Sequence, residues 1–125
     1  MIKIINSYFE SSDDRGSMFG IINQFKWEEI NYFFSKKNST RGGHYHKDTK
    51  ELFFIQEGKI EISLQKINNN KRVGKIVKKN VIKNDIFIIE ENMYHEFFIQ
   101  EDSKWINALT KKHDINSPDF HNIKE

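Results

Sequence analysis

Apolar residues in this chain recur at alternate positions over short stretches, rather than with the 3.6-residue period of a helix. Between Lys59 and Gln65, for example, Ile60, Ile62 and Leu64 share one parity and polar residues occupy the other. Because successive side chains of a strand point to opposite faces, this alternation predicts a strand with one buried face. Similar segments rich in Ile and Phe predict ten short strands. These are residues 2–5, 18–24, 29–35, 43–47, 51–56, 59–66, 73–77, 85–89, 95–100 and 104–109.

Polar clusters that are typical of turns separate these segments, at residues 11–16, 68–70 and 83–85. No window of a dozen residues has a helical period. So many short strands in 125 residues predict a single all-β domain, an antiparallel barrel or jelly roll. We assign residues 1–110 to this domain. The polar residues 111–125, which contain the only Pro, are predicted to be a loose C-terminal extension that is free to pack against a neighbour.

The composition narrows the possible partners and chemistry. The chain has 20 basic and 18 acidic residues, a balance that argues against recruitment of nucleic acid by charge alone. It has no Cys, so disulfides, thiolate catalysis and zinc–thiolate sites are excluded. The first residues turn polar too soon for a signal peptide, and no apolar run approaches the roughly 18 residues that span a bilayer. We therefore expect a cytoplasmic protein that is not bound to a membrane.

Three of the five His residues fall in a pattern that predicts a metal site. His44 and His46 occupy alternate positions of a predicted strand, so both imidazoles face one side. Glu51 follows after a short polar turn and is able to return to the same cavity, and His95 begins a later strand. Buried His and Glu side chains are costly without partners. Three imidazoles and one carboxylate are suitable ligands for a divalent transition metal such as Zn, Fe, Ni or Mn, with room left for water or substrate.

The same residues resemble the first motif of the cupin superfamily. That motif has His-x-His, three or four residues, Glu, six residues and Gly, and His44, His46, Glu51 and Gly58 match every spacing. The resemblance implies the cupin double-stranded β-helix, an all-β jelly-roll barrel.

The second cupin motif is present in altered form. It has a Gly, then Pro-x-Gly, then a His three residues later. Here Asn84, Glu90 and Asn92 replace Gly, Pro and Gly, while His95 keeps its position. The resemblance therefore places His95 with the ligands of the first motif.

A narrower resemblance rests on Arg15-Gly16 and on the string Arg41-Gly-x-His44-x-His46. These are similar to nucleotide-sugar cupins, a group that includes dTDP-sugar 3,4-ketoisomerases, dTDP-4-keto sugar 3,5-epimerases and the cupin domain of capsular polysaccharide epimerase-reductases. The resemblance implies an isomerase or epimerase acting on a nucleotide-linked keto sugar in surface polysaccharide biosynthesis. Arg41 and Arg15 are then predicted to bind the diphosphate, because a guanidinium offers paired donors to phosphate oxygens.

Such a reaction removes a proton from the carbon next to a carbonyl. It requires a base within hydrogen-bond reach and a group that holds the enolate oxygen, but no organic cofactor. A divalent metal would polarise the carbonyl. Tyr32 and Tyr94 are the predicted proton carriers when the histidines bind metal, and His44 or His46 is the predicted base when they do not. Tyr45 has the parity opposite to the two histidines and is discounted.

Two other functions are compatible with the sequence. Three His and one carboxylate also suit an iron-dependent oxygenase, which oxygen consumption would distinguish. A non-catalytic cupin that binds metal or sugar is the second alternative. A homodimer is expected in each case, since small antiparallel barrels leave strand edges to cover and residues 2–5 have little core of their own.

Overall fold

The structure, a computed structural model, describes residues 2–122, within which the chain forms nine strands and no helix. No helix long and apolar enough to cross a membrane occurs in this part of the chain. The predicted all-β class is therefore confirmed. The strands are β1 (Ile2–Ile5), β2 (Phe9–Asp13), β3 (Gly16–Gly20), β4 (Glu29–Ser35), β5 (Thr40–His44), β6 (Glu51–Asn68), β7 (Lys71–Ile82), β8 (Ile86–Ile89) and β9 (Met93–Leu109).

Seven of these strands form an antiparallel barrel with two layers that share β6 and β9. In the first layer the order is β1-β8-β6-β9-β4. In the second layer the later part of β6 pairs with β7, and the early part of β9 pairs with β5. The pairing of β6 with β9 runs through both layers, from Glu51 opposite Leu109 to Lys66 opposite Met93.

The two long strands correct the prediction of four short ones at residues 51–56, 59–66, 95–100 and 104–109. Register shifts between Ile55 and Ile60 bend β6 as it passes from one layer to the other. Gly58 lies at this bend with a φ of 112°, and a Cβ there would lie 2.7 Å from the Cα of Ser103. The glycine therefore marks a bend within a strand rather than its end.

The barrel core lies between the two layers. Phe53 stacks on Phe87 with ring centroids 5.1 Å apart, and it contacts Phe97 and Trp105 at 5.0 and 5.5 Å. The indole N–H of Trp105 donates to Ser35 Oγ at 3.0 Å, so its polar atom is satisfied inside the core. A second apolar cluster on the outer face of the first layer is covered by residues 19–27.

The observed bounds of several strands and of the β2–β3 turn differ from those predicted from the sequence. Residues 11–16 were predicted to be a turn, but only Asp14 and Arg15 form it, and 9–13 is a strand. β4 and β1 have the predicted bounds. β3 and β5 begin and end earlier than predicted, whereas β7 is longer.

The C-terminal residues fold back onto the barrel, so the prediction of a loose extension is wrong. His121 N–H donates to Tyr45 O at 2.9 Å, and Tyr45 N–H donates to His121 O at 3.1 Å. These two bonds form an isolated β-bridge. Tyr45 points away from the histidine face, as predicted, but the returning chain leaves it only 3% exposed.

Candidate functional site

The four residues of the predicted metal site converge inside the barrel. One nitrogen or oxygen of each of His44, His46, Glu51 and His95 lies within 4.8 Å of those of the others. The ring centroids of His44 and His95 are 4.9 Å apart, and those of His44 and His46 are 5.1 Å apart. Glu51 and His95 are only 4% and 1% exposed. We call these four residues the histidine cluster.

Two consecutive glycines allow β5 to approach β9 closely enough to form the cluster. Gly42 and Gly43 have φ angles of 84° and 79°, a region that favours glycine. A Cβ at Gly42 would lie 2.8 Å from the carbonyl oxygen of His95. The register of β5 against β9 shifts between Gly42 and His44, which places His44 opposite His95.

The altered second motif keeps the backbone shape that a glycine motif provides. Asn84 and Asn92 both adopt positive φ angles, 73° and 59°, which Asn tolerates better than other side chains do. The Asn92 N–H donates to the carbonyl oxygen of His46 at 2.7 Å. The turn before His95 is therefore bonded directly to the first motif.

Main-chain carbonyl groups orient two of the imidazoles. His95 Nδ1 lies 3.0 Å from Met93 O, and His46 Nδ1 is hydrogen-bonded to Asp119 O. Because a carbonyl oxygen only accepts, each Nδ1 carries a proton and each Nε2 is directed into the cluster. Both Nε2 atoms face the same oxygen, Glu51 Oε1, with that of His95 at 3.4 Å and that of His46 in contact.

The three converging atoms, His46 Nε2, His95 Nε2 and Glu51 Oε1, are buried, and among the described residues they have no partner other than one another. If both rings are neutral, bare lone pairs face one another, which is unfavourable unless a proton or a cation lies between them. Two imidazoles and one carboxylate with an open position are a ligand set that catalytic zinc uses. The residues present therefore fit a divalent cation.

Burial and neighbouring charges act differently on the members of the cluster. Burial opposes the charged form of Glu51, but hydrogen bonds and charge from His46 and His95 outweigh it and lower the Glu51 pKa below its ordinary value of 4.5. Burial would lower the pKa of His46, yet Glu51 and Asp119 raise it above 6.5. Burial and the charges of His95 and His46 lower the pKa of His44 to about 4. At pH 7 the metal-free cluster thus holds an ionised Glu51 and a neutral His44.

A cavity of about 130 Å³ opens onto the cluster. That is the volume of roughly four water molecules at about 30 Å³ each, well below the ~300–1,000 Å³ of pockets that enclose drug-sized ligands. Arg41 lies exposed at its rim, with the guanidinium carbon 5.0 Å from the ring centroid of Phe33. Only the reacting part of a small molecule fits inside. The cavity is lined by Phe33, Arg41, Gly42, His44, Glu51, Phe53, His95, Phe97, Trp105 and Asn107.

Arg15, the second predicted substrate-binding residue, does not line this cavity. It lies at the tip of the β2–β3 hairpin, where it forms an exposed ion pair with Asp13 at 2.7 Å. A larger, open depression of about 590 Å³ between β1 and this hairpin contains neither Arg15 nor any His.

The two predicted tyrosines also lie outside the cavity. Tyr32 is 59% exposed on the outer face of β4, because its neighbours Asn31 and Phe33 take the inward positions. Tyr94 has the parity opposite to His95, and its ring lies under the Arg72 guanidinium at 4.0 Å. The proton-carrier role predicted for Tyr32 and Tyr94 is therefore not supported by their positions.

Two residues of the site were missed by the sequence analysis. Asn107 Nδ2 donates to Glu51 Oε2 at 2.9 Å and accepts at Oδ1 from Asn31 Nδ2 at 3.0 Å. Its inward parity, two residues after Trp105, would have identified it. Asp119 contacts His46 from a segment with no strand or helix pattern, and no sequence signal marks it.

Comparison with models of protein families assigns the chain to a family. Residues 11–115 match the model described as the polysaccharide biosynthesis C-terminal domain. The chain belongs to this family. Among curated proteins, no sequence matches the chain significantly.

Solved structures share the fold. A 3,4-ketoisomerase from Helicobacter canadensis superimposes with a TM-score of 0.78 at 23% identity, over 96% of this chain and 89% of that one. A TDP-quinovose 3,4-ketoisomerase from Campylobacter jejuni gives 0.76 at 23% identity, over 94% and 90%. The capsular polysaccharide assembling protein CapF from Staphylococcus aureus gives 0.69 at 24% identity, over 94% of this chain but 34% of CapF. These matches confirm the predicted all-β jelly-roll fold.

Proposed function

We propose that this member of the polysaccharide biosynthesis family is an isomerase of a nucleotide-linked keto sugar. The observation that carries the proposal is a small cavity lined by the neutral His44, Glu51 and His95 of the histidine cluster, with Arg41 at its rim. The family supports a role in polysaccharide biosynthesis. A structural neighbour from Thermoanaerobacterium thermosaccharolyticum, solved with TDP-4-keto-6-deoxyglucose, supports the substrate class.

Within the cluster we assign the binding of a divalent ion to His46, Glu51 and His95. The converging atoms of these three residues have no partner outside the group among the described residues, whereas His44 is only partly buried. His44 is also within reach as a fourth donor. A bound divalent ion, such as Zn, Fe, Ni or Mn, would polarise the substrate carbonyl and stabilise negative charge on its oxygen.

His44 is the proposed base. Its lowered pKa keeps the ring neutral at pH 7, so a nitrogen lone pair is free to take a proton from the carbon next to the carbonyl. The electron pair of the broken C–H bond then moves toward the carbonyl oxygen and forms an enolate. Return of a proton to that same carbon from the opposite face gives an epimer. Protonation of the former carbonyl carbon instead, with loss of the proton from the hydroxyl on the neighbouring carbon, gives the keto isomer.

Arg41 is the proposed diphosphate contact. The cavity is too small for a whole nucleotide sugar, so the phosphates must remain at the rim, where the Arg41 guanidinium lies against Phe33. A planar guanidinium binds two phosphate oxygens with a geometry that Lys does not reproduce.

The test is exchange of substrate hydrogen with solvent. TDP-4-keto-6-deoxyglucose is incubated with the protein in D₂O. Proton NMR follows the signal of the hydrogen on the carbon next to the carbonyl, which is lost as deuterium replaces it. We expect exchange with the wild type and a loss of about 10²–10⁴-fold in His44→Asn with unchanged metal content, because three ligands remain. His46→Asn should lose both exchange and metal. Arg41→Lys should weaken binding of TDP in calorimetry, while the matched change Arg15→Lys should not.

Absence of exchange and of binding by any nucleoside diphosphate in the wild type would contradict this function. Consumption of oxygen by the iron-loaded protein would then favour the oxygenase. The domain boundary at residue 110, the cytoplasmic location and the homodimer stay predictions. Within one chain β1 pairs with β8, so sedimentation at high concentration is the measurement that decides the dimer.

A further inference from the structure

The returning C-terminal segment is anchored by one carboxylate. Asp119 Oδ1 accepts from Lys47 N at 2.9 Å and lies 3.1 Å from His121 Nε2. Asp119 Oδ2 accepts from Asp48 N at 2.8 Å and from Thr49 Oγ1 at 2.7 Å. Both oxygens are thus occupied, and three of the four bonds tie the segment to the turn that joins His46 to Glu51.

Three consecutive residues of this segment reach three consecutive residues of the His-x-His motif. The main-chain oxygen of Asp119 accepts from His46 Nδ1. The Phe120 ring lies 5.8 Å from that of His44, between centroids. His121 and Tyr45 form the two-bond bridge. The segment therefore runs beside the motif as an antiparallel neighbour, and it touches His46 at the nitrogen that the cluster does not use.

We propose that Asp119 is a positioning residue for His46. Its carboxylate fixes the turn at residues 47–49, and this places its own carbonyl oxygen against His46 Nδ1. The proton is thereby held on Nδ1, and the Nε2 lone pair is aimed at the centre of the cluster. An imidazole ligand whose second nitrogen donates to a carbonyl group is held in one orientation and one tautomer, which strengthens its binding to metal.

The proposal concerns the ring of His46 and rests on the proposed function only for its effect on turnover. A segment that merely covered the barrel would affect global stability and leave the His46 ring unchanged once the protein had folded. The ¹⁵N NMR signals of the His46 ring separate these possibilities, because protonated and unprotonated imidazole nitrogens have distinct shifts.

The experiment uses Asp119→Ala in the full chain, with zinc as the probe. Calorimetry measures zinc affinity, and ¹⁵N NMR reads the His46 ring with and without zinc. We expect zinc to bind about 10–100-fold more weakly and the Nδ1 proton signature to be lost. Asp119→Asn retains one accepting oxygen, so its zinc affinity should lie between those of the wild type and Asp119→Ala. The matched control is Asp114→Ala, since within residues 2–122 Asp114 bonds only to Asn116 and Ser117 of the same segment. The zinc affinity of Asp114→Ala should stay within about twofold of the wild-type value.

Wild-type zinc affinity together with a wild-type His46 signature in Asp119→Ala would overturn the proposal, as would an equal loss in Asp114→Ala. Should Asp119→Ala fail to fold, Thr49→Val removes one donor to Asp119 and must shift the His46 signature in the same direction. Should the wild type not bind zinc, the His46 signature of the metal-free protein decides alone. Failure of hydrogen exchange in the wild type would contradict the proposed function but not this inference.

Discussion

Two regions of the barrel interior, an apolar half and a histidine half, are both largely buried but are built from different kinds of residue. β6 contributes Ile60 and Ile62, both 0% exposed, to one half and Glu51, 4% exposed, to the other. β9 likewise contributes Ile99 and His95, at 0% and 1%. Removing apolar surface from water stabilises the fold by about 25 cal/mol per Å², whereas removing a charged group from water costs free energy unless it is paired.

Burial therefore has a different consequence at different positions of the same two strands. In the apolar half it is the source of stability. In the histidine half the pairing of Glu51 with His46 and His95 offsets the cost, and what the chain gains is a set of donors directed at one point. Stability and chemistry are thus separated along β6 and β9, and this separation makes distinct predictions for each half.

The largest expected effect on stability is in the apolar half. Ile60→Ala leaves a cavity between Val81 and Ile99, its partners across the sheet, and should lower the free energy of unfolding by about 2–5 kcal/mol. Urea denaturation measures this value. Hydrogen exchange of the substrate and metal content should remain as in the wild type when measured well below the unfolding temperature.

The control for that change is Ile30→Ala, because Ile30 is 73% exposed on β4 and its removal should alter stability by no more than about 0.5 kcal/mol. A comparable loss in both variants would mean that the apolar half is not the source of stability.

A change of pH is expected to have a smaller effect on the free energy of unfolding. This effect should come from the titrating side chains of the histidine cluster. Glu51 has a lowered pKa, so its contribution is present above the ordinary 4.5 and is lost as the pH falls. His44, with a pKa of about 4, favours the neutral form in the folded state, so stability also falls from pH 6.5 toward pH 4. His46 has a raised pKa, so its contribution is present below 6.5 and is lost as the pH rises through the folded value.

The unfolding free energy of the metal-free protein should therefore have its maximum near pH 6.5, as measured by urea denaturation in the presence of a chelator. Glu51→Gln should flatten the decline on the alkaline side, since it removes the partner that raises the His46 pKa. Ile60→Ala should lower the whole curve without changing its shape. If the stability curve of Glu51→Gln had the same shape as that of the wild type, the cluster would not be the cause of the pH dependence.

The two halves also differed in how far the sequence predicted them. Strict alternation over Ile60, Ile62 and Leu64 identified the apolar face of β6. The cluster was found because strand period and motif spacing bring His44 and His46 to one side. What alternation does not reveal is a strand that bends without ending, so β6 was divided at Gly58.

β4 shows a second limit. Its bounds were predicted, but its more apolar parity, with Ile30, Tyr32 and Phe34, is exposed, and Phe33 is the one apolar residue of the inward parity. The hydrophobic pattern of β4 alone therefore indicates the wrong buried face, and Tyr32, a predicted proton carrier, lies on the exposed one. The deciding factor is the partner across the barrel, as in the contact of Phe33 with Trp105 at 5.1 Å.

The role of Asp119 lay furthest from prediction. Its bond to Lys47 joins residues 72 positions apart, and it is made by a carboxylate to a main-chain N–H that any residue would supply. Neither hydrophobic period nor residue spacing records such a contact. Interactions of this type place the ends of a chain and are visible only once the fold is known.

The smallest expected effects concern Asn84 and Asn92, which stand where the cupin motif has glycine, one in each half of this comparison. Both have positive φ angles, but Asn84 N–H bonds to Ile55 O in the apolar half, whereas Asn92 N–H bonds to His46 O in the cluster. Either residue replaced by Gly should change stability by no more than about 0.5 kcal/mol, since glycine adopts this conformation without strain. Either replaced by Val should cost about 1–2 kcal/mol of stability, because a Cβ-branched side chain is strained there.

The two Val variants should differ in their effect on the histidine cluster. Asn92→Val displaces the main chain of His46 and should weaken zinc binding in calorimetry, while Asn84→Val should lose the same stability and keep wild-type zinc affinity. Equal zinc affinity in both would show that the turn before His95 does not position the cluster.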